Sequence, residues 1–272
     1  MIPATLDTVP YLVAPDTFLI PTFAAEPSGA YFGAHSLVIR GSEPVIVDTG
    51  CSLVREQWLA QTFSVVDPVD VRWVFLSHDD HDHIGNLDVV LEMCPNATLV
   101  CNFPIVARLM GDVELPLERM RWVDPGQTLD VGDRTLQIVR PPMFDSPATR
   151  GLVDPTTGVF WAVDSFGTFF PGETYEAGDI PTDLYEGSFA ALNGWNTPWL
   201  ELVDAERFAA HVAKTSRLPH EVVASAHGPI LRGAQIDDAF RRTLDLAGQP
   251  ILPVPGQETL DALVASLFAA AI

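Results

Sequence analysis

Short apolar runs punctuated by turn residues dominate the first two thirds of the chain. Leu37–Ile39 and Val45–Val47 are apolar triplets separated by Gly41-Ser42-Glu43-Pro44, a pattern that predicts two strands joined by a turn. Val71–Leu76, Thr98–Cys101, Thr135–Val139, Val159–Val163 and Val222–Ser225 read as further buried strands. Leu53–Phe63, Leu87–Met93, Ile105–Met110 and Ala205–Lys214 have helical spacing and fall between them. Strands alternating with helices in two halves predict an α/β sandwich. Leu260, Leu263, Val264, Leu267 and Phe268 predict a terminal helix near 257–271, docked on the body and too short to span a bilayer. With no low-complexity linker in sight, residues 1–272 are expected to form one domain.

Composition narrows the partners. The formal net charge of the 272 residues is -21, and Lys214 is the single lysine, which argues against nucleic acid or anionic membranes. Hydrophobic residues make up 47%, ample for a core. Cys51, Cys94 and Cys101 form no CxxC pair and fit free thiols in a reducing compartment. The N-terminus has no basic, continuously apolar leader pattern, so a cytoplasmic protein is expected.

The chemistry concentrates at residues 76–86, Leu-Ser-His-Asp-Asp-His-Asp-His-Ile-Gly-Asn. Neutral imidazole and ionised carboxylate are ligands for zinc, iron, manganese and cobalt, and a strand delivers this loop. Asp48, Asp164 and His227 also stand at expected strand ends, so one sheet edge can gather them with His78, Asp80, Asp82 and His83.

The loop resembles the metallo-β-lactamase superfamily signature His-x-His-x-Asp-His, with Asp80 in place of the second histidine. A carboxylate there resembles the flavodiiron and flavin-free oxygen-binding di-iron branch, which uses His-x-Glu-x-Asp-His. The resemblance covers roughly residues 30–235 and continues through Met143-Phe144-Asp145-Ser146-Pro147, Trp161-Ala162-Val163-Asp164-Ser165 and Ser225-Ala226-His227-Gly228-Pro229. It implies an αββα sandwich and two metal sites. His78, Asp80 and Asp145 would hold one ion, Asp82, His83 and His227 the other, and Asp164 would bridge them. Asp145 stands where that branch has histidine. Four ionised aspartates balance two divalent cations, and an oxygen-rich set suits iron or manganese better than zinc. Iron is the expected metal, with zinc and manganese as alternatives.

The function implied is a non-haem di-iron protein that binds and reduces or activates O2 or NO. No built-in flavin domain is expected, so electrons would come from an external donor, and the flavin-free relatives suggest a homodimer. The alternative is a dinuclear hydrolase that turns a bridging hydroxide on an ester, lactone, thioester or phosphoester. His35 is a candidate for orienting a ligand or shuttling protons, or equally a satisfied edge histidine. Asp79 and His81 alternate with the ligands and should point elsewhere. Asp48 is expected to be structural, and His211 and His220 to lie on the surface. The Pro/Gly-rich stretch 171–181 is expected to form a loop over the site. Tyr175, Tyr185, Trp195 and Trp199 are candidates for pocket wall or core.

Overall fold

The structure is a computed structural model that describes residues 4–269, with side chains through 265. Two sheets stack face to face. The seven-stranded sheet runs, in spatial order, Tyr11–Ala14, Thr17–Ile20, Ser36–Ile39, Val45–Val47, Trp73–Phe75, Thr98–Cys101 and Met120–Trp122. The six-stranded sheet runs Thr128–Asp130, Thr135–Val139, Gly151–Asp154, Val159–Trp161, Val222–Ala224 and Leu231–Arg232. A small third sheet joins Phe169–Phe170, Tyr31–Gly33 and Phe23–Ala25.

The apolar runs are continuous because both faces of each sheet are covered. Val45 and Val47 point into the core between the sheets, with Phe75, Val159, Trp161, Val222 and Ala224. Ile46, Val74 and Leu76 point the other way, into a layer with Trp58, Leu87, Val90 and Ile105 from helices. Phe160 and Val223 likewise pack on Phe189, Phe208, Val212 and Phe240. Those residues belong to the helices Thr182–Asn196, Ala205–Ser216 and Ala234–Asp245. The result is an αββα sandwich, as the resemblance implies.

Two readings need correction. The stretch 171–181 packs away from the site: Tyr175 stacks on Tyr11 at 4.4 Å, and Ala177 donates its backbone N–H to Ile230. The terminal helix forms over Gln257–Ala269, but Leu260 and Val264 are 51% and 40% exposed. Docking is therefore not made chiefly by those two side chains, and the segment before the helix is held by the Trp195 indole, which donates to the Leu252 carbonyl at 2.9 Å. Leu267 and Phe268 lie outside the described side chains. Among the described residues no helix is long and apolar enough to cross a membrane.

Candidate metal centre

Parallel pairing brings the ligands together. Val45–Val47 lies parallel to Trp73–Phe75, and Val159–Trp161 lies parallel to Val222–Ala224. The C-terminal ends of parallel strands share one edge, the usual ligand-bearing edge of such sheets. Asp48, His78, Asp164 and His227 each follow one of these four strands within a few residues.

The intervening loop is shaped by backbone contact. Asp80 precedes a single helical turn, His81–Ile84, which presents Asp82 and His83. The Thr49 N–H and hydroxyl both donate to the His83 carbonyl, at 2.6 and 3.2 Å, clamping this turn to Asp48-Thr49-Gly50. Gly85 is required there, since a Cβ would sit 2.3 Å from the Ser52 nitrogen. In the His227-Gly228-Pro229 turn a Cβ on Gly228 would lie 2.3 Å from the Phe166 carbonyl oxygen.

Asp164 is buried between two sets of ligands. Its Oδ2 faces His78 Nε2 at 3.4 Å, while its Oδ1 faces His83 Nε2 at 3.1 Å and His227 Nε2 at 3.3 Å. On the first side His78 Nε2 lies 3.8 Å from Asp80 and 3.9 Å from Asp145. On the second, Asp82 Oδ2 lies 3.7 Å from His83 Nε2 and 3.4 Å from His227 Nε2. His78, Asp80 and Asp145 thus form one group of potential ligand atoms, and Asp82, His83 and His227 a second. All seven residues singled out in the sequence meet here.

The far nitrogens of the rings are fixed. His83 Nδ1 donates to Asp48 at 3.0 Å, His227 Nδ1 donates to the Gly33 carbonyl at 2.7 Å, and His78 Nδ1 meets the Ser77 hydroxyl at 3.1 Å. Asp48 also accepts from the Ser77 N–H and hydroxyl, both at 2.7 Å, and from the Trp161 indole at 3.3 Å. Such partners set the tautomer and aim Nε2 at the centre. Thr149 plays the same part for Asp145, donating to its Oδ1 at 3.0 Å.

The donor set fits cations. His78 Nε2, His83 Nε2 and Asp164 Oδ1 are buried with no hydrogen-bond partner, an arrangement that is costly unless a cation sits among them. Electrostatics agree. Burial opposes charge on Asp164, yet His78, His227 and His83 together hold it well below the ordinary carboxylate range. Burial likewise opposes charge on His83, but Asp82, Asp164 and Asp48 push it well above the ordinary imidazole value. Burial also works against charge on His78 and His227, and both are nonetheless raised by neighbouring carboxylates.

Asp164 is delivered by a strained backbone. Val163, just before it, has φ +58°, a conformation a β-branched residue rarely adopts. The Ala226 N–H and the Ser225 hydroxyl hold its carbonyl at 2.7 and 2.8 Å, and its side chain is buried between the sheets.

Other candidates lie elsewhere. Asp79 pairs with Arg108 at 2.7 Å and His81 is exposed. His35 is buried behind the cluster, accepting the Thr22 N–H at Nδ1 (3.1 Å) and packing edge-on to Phe23 and Phe170. Burial pushes its pKa down to about 3. His211 and His220 are half-buried rather than on the surface, because His211 bonds the Pro141 carbonyl and His220 packs against Phe160 and Phe240. Tyr185 and Trp199 join the core. Trp195, by contrast, walls a cavity of about 560 Å³ above the cluster, with Phe32, Ala34, Cys51 and Val54. Ser77, Gly33 and Phe32 were not singled out in the sequence. Only Ser77, flanked by the strand and His78, carried a local signal.

Residues 34–228 match the family described as "ODP family beta lactamase". Among curated proteins the chain is 28% identical over 203 residues to a putative diflavin flavoprotein A 2 from Nostoc sp., covering 72% of this chain and 33% of that one. It is 25% identical over 215 residues to an anaerobic nitric oxide reductase flavorubredoxin from Pectobacterium atrosepticum, covering 78% and 42%. The chain therefore spans well under half the length of these relatives. The fold superposes on the flavodiiron protein from Giardia intestinalis with TM-score 0.73 at 20% identity, covering 88% of this chain and 59% of that one. A fragment, residues 1–254, of a putative diflavin flavoprotein A 5 from Nostoc sp. gives TM-score 0.71 at 19% identity, covering 88% and 95%.

Proposed function

The chain belongs to the ODP family of β-lactamase-fold domains, and from that premise we propose a non-haem di-iron protein that binds O2 or NO and reduces or activates it. The observation that carries the reading is the buried Asp164 carboxylate, whose two oxygens face two separate histidine and aspartate groups. His78, Asp80 and Asp145 would hold one ion and Asp82, His83 and His227 the other, with Asp164 between them. Two iron ions, when bound, would supply open positions for a diatomic ligand and the electron chemistry. The aspartates at 80 and 145 make the set richer in oxygen donors, which favours iron or manganese over zinc.

The protein's own part is positioning. Asp48, Ser77 and the Gly33 carbonyl hold the three imidazoles with Nε2 inward. Phe32 stacks on the His227 ring at 4.6 Å and shields it from water. His35 would act as a positioning residue: its Nδ1 accepts the Thr22 N–H at 3.1 Å, which fixes the backbone whose N–H donates to the Ala226 carbonyl beside His227 at 2.9 Å. Reducing equivalents would come from an external electron donor.

The test is metal content with an anaerobic absorption spectrum before and after O2, on protein from iron-supplemented cells. About two irons per chain and a new near-ultraviolet or visible band, lost in Asp80→Ala, are expected. Stoichiometric zinc, no spectral response and esterase or lactonase activity would overturn it in favour of the hydrolase.

A further inference from the structure

The cavity above the metal cluster is much larger than a diatomic gas needs. Its volume is about 560 Å³. A molecule of water occupies about 30 Å³, and pockets for organic ligands run from about 300 to 1,000 Å³. Its walls are mostly apolar or aromatic: Phe32, Ala34, Leu53, Val54 and Trp195.

Beside the His227 imidazole and the Cys51 thiol, its ionisable lining is all carboxylate. Glu26, Asp80, Asp82, Asp145 and Asp164 line it, and no arginine or lysine does. Four of these are accounted for by the metal centre. Glu26 is not. It is half-buried, burial raises its pKa, and its carboxylate has no ion pair or hydrogen bond among the described residues. A desolvated, unpaired carboxylate gains most from a cationic hydrogen-bond donor. Phe32 and Trp195 add aromatic rings to the same lining, and such rings attract cations.

We propose that this cavity binds a small organic molecule carrying an ammonium group, with its apolar body against Phe32, Val54 and Trp195 and its ammonium at Glu26. This rests on the metal-centre reading for the cavity floor alone. Once two divalent cations balance the four aspartates, Glu26 is the one uncompensated carboxylate of the lining and disfavours an organic anion beside it, and the net charge of -21 favours approach of cations.

The experiment titrates metal-loaded full-length protein with 2-phenylethylammonium, 2-phenylethanol and 2-phenylethanesulfonate, followed by tryptophan fluorescence and calorimetry. The ammonium probe should bind tightest and the sulfonate weakest. Glu26→Gln should weaken the ammonium probe about tenfold, as expected for loss of one charged hydrogen bond, and leave the alcohol unchanged. Trp195→Ala should weaken both of these probes. Metal content and far-ultraviolet circular dichroism of each variant show that the fold and the centre are intact. No saturable binding of any probe would overturn the proposal. So would sulfonate binding as tight as ammonium, or an ammonium preference unchanged in Glu26→Gln. Metal content separates the two readings: a chain that binds no metal yet keeps the Glu26-dependent preference retains the pocket and loses the di-iron centre.

Discussion

Replacing Asp48 by asparagine should weaken metal binding at the centre without unfolding the chain. Asp48 is fully buried and touches no ligand atom that faces the centre. Its φ of +61° is one that asparagine tolerates, so the backbone has no reason to move. The damage is in the hydrogen bonds. Oδ1 accepts the Ser77 N–H at 2.7 Å, and Oδ2 accepts from the Ser77 hydroxyl, His83 Nδ1 and the Trp161 indole at 2.7, 3.0 and 3.3 Å. An amide can keep one oxygen only. If the oxygen stays with Ser77, the NH2 faces the Trp161 donor and invites His83 to accept at Nδ1. The His83 proton then moves to Nε2, the atom that points at Asp164 from 3.1 Å. A ligand lone pair is lost. If the amide flips, the NH2 opposes the Ser77 N–H instead. Loss of such a supporting contact typically lowers metal affinity about 10- to 100-fold, or about 1.4–2.7 kcal/mol. Chelator competition measures it, with far-ultraviolet circular dichroism as the fold control. Asp79→Asn is the matched control, since Asp79 pairs outward with Arg108. Equal affinity in Asp48→Asn and the parent chain would refute the reasoning, as would an equal loss in Asp79→Asn.

Three further outcomes are expected. Gly228→Ala should destabilise the fold by about 1–3 kcal/mol in denaturant melts, because the new methyl meets the Phe166 carbonyl oxygen rather than a side chain that could turn aside. Metal affinity should rise steeply with pH from the ordinary imidazole value of 6.5 upward: His78, His83 and His227 all have raised pKa values without metal, so each uptake must displace protons, and a titration showing no proton release would contradict this. His35 carries the opposite sign. Its folded pKa of about 3 lies below the ordinary imidazole value of 6.5, so its contribution is intact above 6.5 and is lost as pH falls towards 3, by about 1.4 kcal/mol per pH unit. His35→Asn, which keeps an acceptor for the Thr22 N–H, should therefore lose less thermal stability between pH 6.5 and 4 than the parent chain.

Much of the sandwich was legible because buried strands announce themselves. Val45–Val47 and Thr98–Cys101 needed only continuous apolar composition, since both their faces are covered. The strands Phe23–Ala25 and Tyr31–Gly33 were not legible, for three residues are too few to show a period. The helix Thr182–Asn196 was hidden by Gly187 and Gly194 and by the absence of a capping side chain. The helix Ala234–Asp245 does carry a signal in the sequence, Ile236, Ala239, Phe240 and Thr243 at helical spacing. At the site the sequence names residues that bear donor atoms. It stays silent on the Gly33 carbonyl, which orients His227 from 194 positions away, since a backbone oxygen leaves no mark in composition.

Val163 has a consequence for how Asp164 is held among its neighbours. Its left-handed backbone is locked by two bonds to its carbonyl and by a buried side chain. The peptide that carries Asp164 is therefore held by the protein's own bonds rather than by an ion. Its carboxylate is a fixed point about which the other six side chains are arranged, so a substitution that loosened Val163, Ser225 or Ala226 would blunt the centre from a distance, without touching a donor atom.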